Sequence, residues 1–487
     1  MAGATLPALD FARRIAATGA LATFFAVAAS HAGPASAQAV RTQPSAAAAG
    51  RVLDFDDARF LLTRTGFAPS RTEIEGCVGR TRAQAVDALL AGARTSPVVA
   101  PPGWTSDPET LLRGRRPRDL TSDERKALQQ TLRQHALELR EWWIAEMLAT
   151  DSPLAERMTL FWHMHFTSNI QKVHDARLMY RQNALFRREA LGNFGRLLHE
   201  VTRDPAMLRW LDGARSRRGA PNENYAREVM ELFTLGVGQY TQHDVVDGAR
   251  AFTGLGVDPV SGGFVYRPRQ HDDGEKTFLG VSGNLDADGA IDAILAQHAV
   301  APFIVAKLWR EFVSPTPDQR EVEAIADRFR SSHYDIKTAL RGLFLSDAFW
   351  APRNRGTLVK SPVELVVGTL RAVGLDPPKL RPVAAATARM GEVLFAPPDV
   401  RGWRGGDDWI TSSTLVVRKE FLLKVSQLIP AGRMSPPAAA MRTSDADIVH
   451  VLLPLPPVGG AVAEATSERD PRAEIRAALL DPVYEVK

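Results

Sequence analysis

Three polar clusters interrupt an otherwise apolar and aromatic chain. The first is Phe161-Trp162-His163-Met164-His165-Phe166. Two imidazoles at this spacing share a face on a strand and could share a metal ion. On a helix they point about 200° apart. Leu154, Met158 and Phe161 form an i, i+4, i+7 apolar stripe that continues onto His165. The helical reading therefore turns His165 inward and His163 elsewhere. A buried histidine bonded to backbone explains the pattern as readily as a ligand or a proton carrier does.

The second cluster runs from Pro221 to Phe233. Ala226, Val229, Met230 and Phe233 make one apolar helix face, with Glu223, Arg227 and Glu231 as an ion-pair ladder on another. Such ladders contribute about 0.3–0.5 kcal/mol per pair when exposed. Asn224 and Glu228 form a second i, i+4 pair. Flanked by Tyr225 and Leu232, Glu228 is the carboxylate expected to be partly buried. Burial would raise its pKa and suit it to general-base work or metal ligation, whereas a structural ion pair with Arg227 would explain it without chemistry. The third cluster is the loop Arg269-Gln270-His271-Asp272-Asp273-Gly274-Glu275-Lys276. Asp273-Gly274 is turn chemistry. His271 and Asp272 could bind a divalent ion or direct a proton, or could belong to a solvated turn.

The candidate catalytic residues are thus Glu228, His165 and His271. The candidate divalent-metal ligands are His163, His165 and Glu228, and the candidate substrate contacts are Asn222, Asn224 and Arg227. No GxSxG, HExxH, phosphate-binding loop, EF-hand loop or CxxC is present, which counts against familiar hydrolase, zinc-protease or nucleotide chemistry.

Helices must position these groups. Capping boxes at Ser70-x-x-Glu73 and Thr121-x-x-Glu124 open amphipathic runs, and Thr241-x-x-Asp244 caps another. Ser152-Pro153, Thr316-Pro317 and Ser361-Pro362 place proline where a helix begins. Gly263–Tyr266 and Thr277–Leu279 read as two strands of one small inserted β-hairpin. The expected fold is mainly α: a large multi-helix domain over residues 51–430, then an irregular Pro/Ala-rich segment over 431–470. A final helix over 471–487 docks back on the domain. Its ending, Leu479–Tyr484, echoes Leu343–Phe349, as if both docked on the same core.

Residues 1–39 carry Arg13-Arg14, an Ala-rich apolar stretch and small residues near Ala37 and Ala39, the features of a signal peptide. A flexible tether over 40–50 follows, and no transmembrane anchor is expected after cleavage. The protein is accordingly expected to be periplasmic or secreted. Cys77 is the only cysteine among 487 residues. No disulfide within the chain can form, and its apolar neighbours suggest a small buried hydrophobe. A net charge of +4 is too small to indicate a nucleic-acid partner.

The residues also carry a family resemblance. The run Glu156–Phe166 resembles the bacterial family called domain of unknown function 1800. So do Arg181–Leu185, Pro221–Gly238, Ala249–Gly254, His271–Thr277, Leu358–Pro362, and Phe395–Pro398 followed by Gly402-Trp403. The basic Arg215–Arg218 loop departs from the pattern. The resemblance implies an exported helical protein and carries no settled activity. It further implies a gene neighbour of the domain-of-unknown-function 1501 family, with a phosphatase-like or sulfatase-like fold. Two functions fit these readings. One is an extracytoplasmic enzyme, with or without a metal ion to assist it, acting on an envelope or extracellular polymer. The other is a non-catalytic scaffold or binding partner of that co-exported protein or of a surface polysaccharide, for which Trp403 and Trp409 beside Arg401 and Arg404 are suited.

Overall fold

The computed structural model describes residues 46–429, 446–468 and 471–487. The expected signal peptide therefore lies outside the described residues. The fold is mainly α, as the cap signals require. Ser70, Thr121, Thr241 and Ser361 each close a capping box at the first turn of a helix.

The helices used below are α1 (Phe55–Thr65), α2 (Ser122–Ala149), α3 (Pro153–His165), α4 (Ala176–Arg188), α5 (Glu223–Glu231), α6 (Gln242–Ala251), α7 (Val300–Phe312), α8 (Pro362–Ala372), α9 (Ser412–Leu428) and α10 (Pro471–Leu480). They enclose two main apolar cores. Most of α1, α5, α6 and α7 face the first. Most of α2, α8, α9 and α10 face the second. Helix α3 lies between them. Leu154, Met158, Phe161 and Trp162 pack into the first core and Leu160 into the second. From Leu154 to His165 only Met164 escapes full burial.

A helix buried on all sides must pair its charges internally, because an isolated ion in this environment costs several kcal/mol. Glu156 accepts from Arg187 of α4 (2.9 Å at Nη2) and from the Trp143 indole (2.9 Å). Arg157 pairs with Glu364 of α8 at 2.5 Å and with Glu311 of α7. One guanidinium thus ties the middle helix to both cores. The final residues join the same network. Val486 bridges Val359, Lys360 donates its backbone N–H to Glu485 O, and Lys487 donates its own to Leu358 O. The Lys487 ammonium pairs with Glu364, and Glu485 pairs with Arg418 of α9 at 2.8 Å.

Several expectations need correction. The strands do not form one hairpin. Leu255–Val257 pairs with Phe264–Tyr266, and Lys276–Phe278 pairs with Val281–Gly283, both antiparallel. The Asp272–Gly274 turn is held instead to the end of α6, so each strand finds a nearer partner. The segment read as irregular includes helices at Ala446–Leu452 and Ala461–Glu468, and Ala46–Gly50 of the expected tether is helical. The two similar endings dock on different cores: Leu343, Phe344 and Phe349 in the first, Leu479, Val483 and Tyr484 in the second. Cys77 is half-buried at the edge of the first core, and burial raises its thiol pKa. Among the described residues no single helix is long and apolar enough to cross a membrane. Ala287–Leu295 and Val300–Phe312 reach that composition only together, across a 74° bend.

Arg157→Met leaves Glu311 and Glu364 without their shared cation while keeping the side-chain volume. It is expected to lower the unfolding free energy by about 3–5 kcal/mol, read as a lower urea midpoint at unchanged slope. A loss under about 1 kcal/mol would show that Lys487 alone neutralises the site.

Candidate functional site

The C-terminal end of α5 presents carbonyls that its own helix cannot use. Two of them, at Leu232 and Phe233, are taken by side chains from other helices. Lys307 of α7 donates to Leu232 O at 2.7 Å. His165 of α3 bonds Phe233 O through Nε2 at 3.0 Å. A carbonyl only accepts, so Nε2 carries the ring proton and Nδ1 is left as an acceptor. Lys307 Nζ fills it at 3.1 Å. His165 is neutral, since burial first and the Lys307 charge second hold its pKa well below the usual imidazole range.

Lys307 sits deep between α3, α5 and α7, yet part of its surface opens to a cavity of about 630 Å³. No carboxylate lies within ion-pair distance of it among the described residues, and its charged neighbour is Arg310. The Phe303 ring, 4.7 Å from Nζ, adds to the Leu232 carbonyl in favouring the ammonium form. Desolvation outweighs both, and with Arg310 pushes the amine down to about 7.

Three sets of residues wall the cavity. From α3 and α7 come Arg157, Phe161, Arg310 and Glu311. From the 357–364 segment come Leu358, Val359, Ser361 and Glu364, with Lys487 beside them. The third is the loop carrying Arg401, Asp407, Asp408 and Trp409. This loop crosses α3 at Gly402, whose φ is +86° and where an added Cβ would lie 2.7 Å from Met164 O. Only glycine permits that approach. Arg401 and Arg310 have no carboxylate within 4.0 Å among the described residues, unlike Arg157.

Glu392 completes the lining. It accepts the Val363 N–H at 2.8 Å. Burial raises its pKa to about 7, against the pull of that hydrogen bond. The cavity therefore holds an amine and a carboxyl that both change charge near neutrality. Each group alone can give or take a proton at physiological pH.

The three clusters read from sequence do not converge. Of the candidate catalytic, metal-binding and substrate-contact residues, His165 alone lines the cavity. His163 is buried on the other side of α3 among Trp143, Phe186 and Phe395, accepting from Asn183 at 3.1 Å. His271 is buried at the end of α6 and bonds Thr253 O at 3.1 Å, while Arg250 pairs with Asp272 at 3.0 Å. These contacts clasp the turn to the helix. Asn222 caps α5 by accepting from the Asn224 N–H at 2.9 Å, and Asn224 is exposed. Arg227 pairs with Glu223 at 3.1 Å and also meets Gln242, while Glu231 accepts from Tyr240. Glu228 is half-buried outside the cavity wall. Burial and then Glu231 raise its pKa, and Arg401 is near enough to oppose them. Among the described residues no three His, Cys, Asp or Glu side chains stand together to hold a metal ion.

Lys307, Glu392 and Arg157 were not singled out in the sequence. Lys307 did leave a trace: it is a lone cation amid Ile304, Val305, Leu308 and Trp309. Glu392, in Gly391-Glu392-Val393-Leu394, has no comparable signal.

A family described as protein of unknown function (DUF1800) matches residues 60–481 of the chain. No curated protein and no solved structure matches it.

The raised pKa of Glu392 has a stability consequence. Above the ordinary carboxylate pKa of about 4.5 the unfolded chain releases this proton, whereas the folded chain holds it to about 7. The group therefore contributes less stability as pH rises through that window, and the loss is complete above it. Glu392→Gln keeps the acceptor and never ionises. The variant should gain on the wild type by on the order of 2–3 kcal/mol between pH 4.5 and 7, measured by urea unfolding at each pH. Parallel curves would show that Glu392 ionises freely.

Proposed function

The chain belongs to the DUF1800 family, and we propose that it is an exported enzyme whose active site is the cavity beneath Lys307. The carrying observation is the Lys307 amine. It is desolvated, has no carboxylate partner among the described residues, is held by His165 Nδ1 and Leu232 O, and opens to a space large enough for a substrate. Lys360 also lacks a carboxylate within 4.0 Å among the described residues and donates to Tyr484 O at 2.7 Å, but it borders a space of only about 10 Å³. Lys487, for comparison, is buried against Glu364.

In this reading Lys307 is the base or nucleophile and Glu392 the proton donor. Each is close to half-ionised at neutral pH, where general acid–base catalysis is most effective. His165 is a positioning residue. Its fixed tautomer offers Lys307 an acceptor while adding no charge. The substrate is a segment of an envelope or extracellular polymer. Trp409 offers an aromatic wall, Asp407 and Asp408 offer acceptors for hydroxyls, and Arg401 and Arg310 offer unpaired cations. Export rests on the charged, Ala-rich N-terminal stretch that precedes the family match.

The glycan-binding alternative is favoured by that same wall, since Arg401 and Trp409 would hold a sugar without any reaction. Binding and catalysis separate at Lys307. Reductively ¹³C-methylated protein should show a lysine signal titrating near pH 7 that disappears in Lys307→Met and is distinct from that of Lys360, which burial also pushes down to about 7. Incubation with envelope polysaccharides and peptidoglycan should release products, read by mass spectrometry, at a rate at least 100-fold lower in that variant at equal thermal stability. A Lys307 signal titrating near 10 would remove the enzymatic reading. Binding without product release would leave the glycan-binding one.

A further inference from the structure

We infer that Lys307 forms a covalent imine with an aldehyde or ketone group presented in this cavity, a step that rests on the enzymatic reading above. The geometry of the nitrogen carries it. A neutral primary amine has two N–H bonds and one lone pair. Two acceptors are in place, Leu232 O at 2.7 Å and His165 Nδ1 at 3.1 Å. Both N–H bonds are thereby directed into protein, and the lone pair is left for the open side, which is the cavity. An ammonium ion would need a third acceptor there, and no carboxylate supplies one among the described residues. Desolvation together with a cationic neighbour, here Arg310, is the environment that activates imine-forming lysines.

The step balances without an oxidant or reductant. The nitrogen lone pair attacks the carbonyl carbon, a C–N bond forms, and the carbonyl π electrons move to oxygen. The oxygen takes up both amine hydrogens and leaves as water, breaking the C–O bond and forming C=N. Glu392, on the wall of the same cavity and able to give or take a proton near neutrality, relays one of them. Uptake of one further proton by the imine nitrogen, with solvent water or the acid form of Glu392 as its source, gives one N–H, for which Leu232 O remains an acceptor. Such an imine withdraws electrons from the adjoining carbon. A carbonyl substrate held this way is prepared for proton loss or C–C cleavage at that carbon.

The charged groups facing the amine narrow the substrate. Arg310 lies on its own helix. Across the cavity are Arg157, already neutralised by Glu311 and Glu364, and Arg401, which is not. A carbonyl compound bearing a carboxylate would meet Arg310 and Arg401. One bearing hydroxyls, such as an open-chain sugar, would meet Asp407 and Asp408.

The test uses the full chain with two probes, glyoxylate and glyceraldehyde, each with sodium cyanoborohydride from pH 6 to 9. Peptide mass spectrometry then locates the reduced adduct. At limiting probe the adduct is expected at Lys307 at least 10-fold above exposed lysines such as Lys126, whose side chain is 73% exposed. Half-maximal labelling should fall near pH 7, and the adduct should be absent from Lys307→Arg. Preference for glyoxylate would assign the carboxylated class and preference for glyceraldehyde the hydroxylated one. Equal labelling would support imine formation with the carbonyl alone recognised. Labelling that follows exposure, with Lys126 modified and Lys307 not, overturns the inference. If the ¹³C signal of Lys307 still titrates near 7 in that case, the base reading stands and only the imine falls. The wild-type site map decides the matter even should Lys307→Arg fail to fold.

Discussion

A charge taken out of water must find a partner, and most of this structure follows from meeting that demand along α3. The helix is buried on nearly every side, yet its first two turns carry Glu156 and Arg157. Each can exist there only because another element reaches it: Arg187 for the first, Glu311 and Glu364 for the second. The partners come from α4, α7 and α8, so the ion pairs also specify how the two cores are joined. Burying such pairs does not guarantee net stability relative to an apolar core, but leaving one member alone is costly. The arrangement is therefore strongly specified even if it is not strongly stabilising. Lys487 and Glu485 extend the same rule to the end of the chain, which is held by Glu364 and Arg418.

Against that rule, Lys307 is the instructive departure. Arg64 also lacks a close carboxylate, but it is sealed in the interior and donates to the carbonyls of Phe312, Val313 and Asn354. The hydrogen bonds of its two terminal nitrogens all go to backbone. Lys307 has two acceptors and an open side. The first arrangement is a structural solution to a buried cation. The second leaves a reactive group where a ligand could reach it, and this difference, more than the shifted pKa, separates the two.

The fold was more legible in the sequence than the site. Capping boxes and proline positions depend on neighbours three or four residues apart, so Thr121, Thr241 and Ser361 could be read directly. The inward turn of His165 followed from the stripe of Leu154, Met158 and Phe161 for the same reason. What lay beyond local reading was the second core on the far side of α3, which buries His163 as well. Strand pairing failed likewise, because the choice between one hairpin and two depends on where Arg250 and Thr253 anchor the intervening turn. The polar runs of the sequence are largely joinery: His271 and Asp272 clasp α6, and Asn222 caps α5. Lys307 and Glu392 are isolated in sequence, and only packing brings them to one cavity.

The run from Asn222 to Phe233 nevertheless matters to the site, through its backbone and not its side chains. Where α5 ends, the carbonyls of Leu232 and Phe233 carry the partial negative charge of the helix terminus. One holds Lys307 and the other holds the ring that Lys307 also touches. That negative end and the Phe303 face favour the ammonium ion, whereas burial and Arg310 oppose it. Either influence alone would fix the group in a single state: fully charged beside the helix end, or fully neutral in an apolar pocket. Set against each other, they leave the amine balanced close to neutral pH. A residue that must be a nucleophile in one step and carry a proton in the next requires that balance together with an open side; Lys360, also pushed down to about 7, has the first without the second.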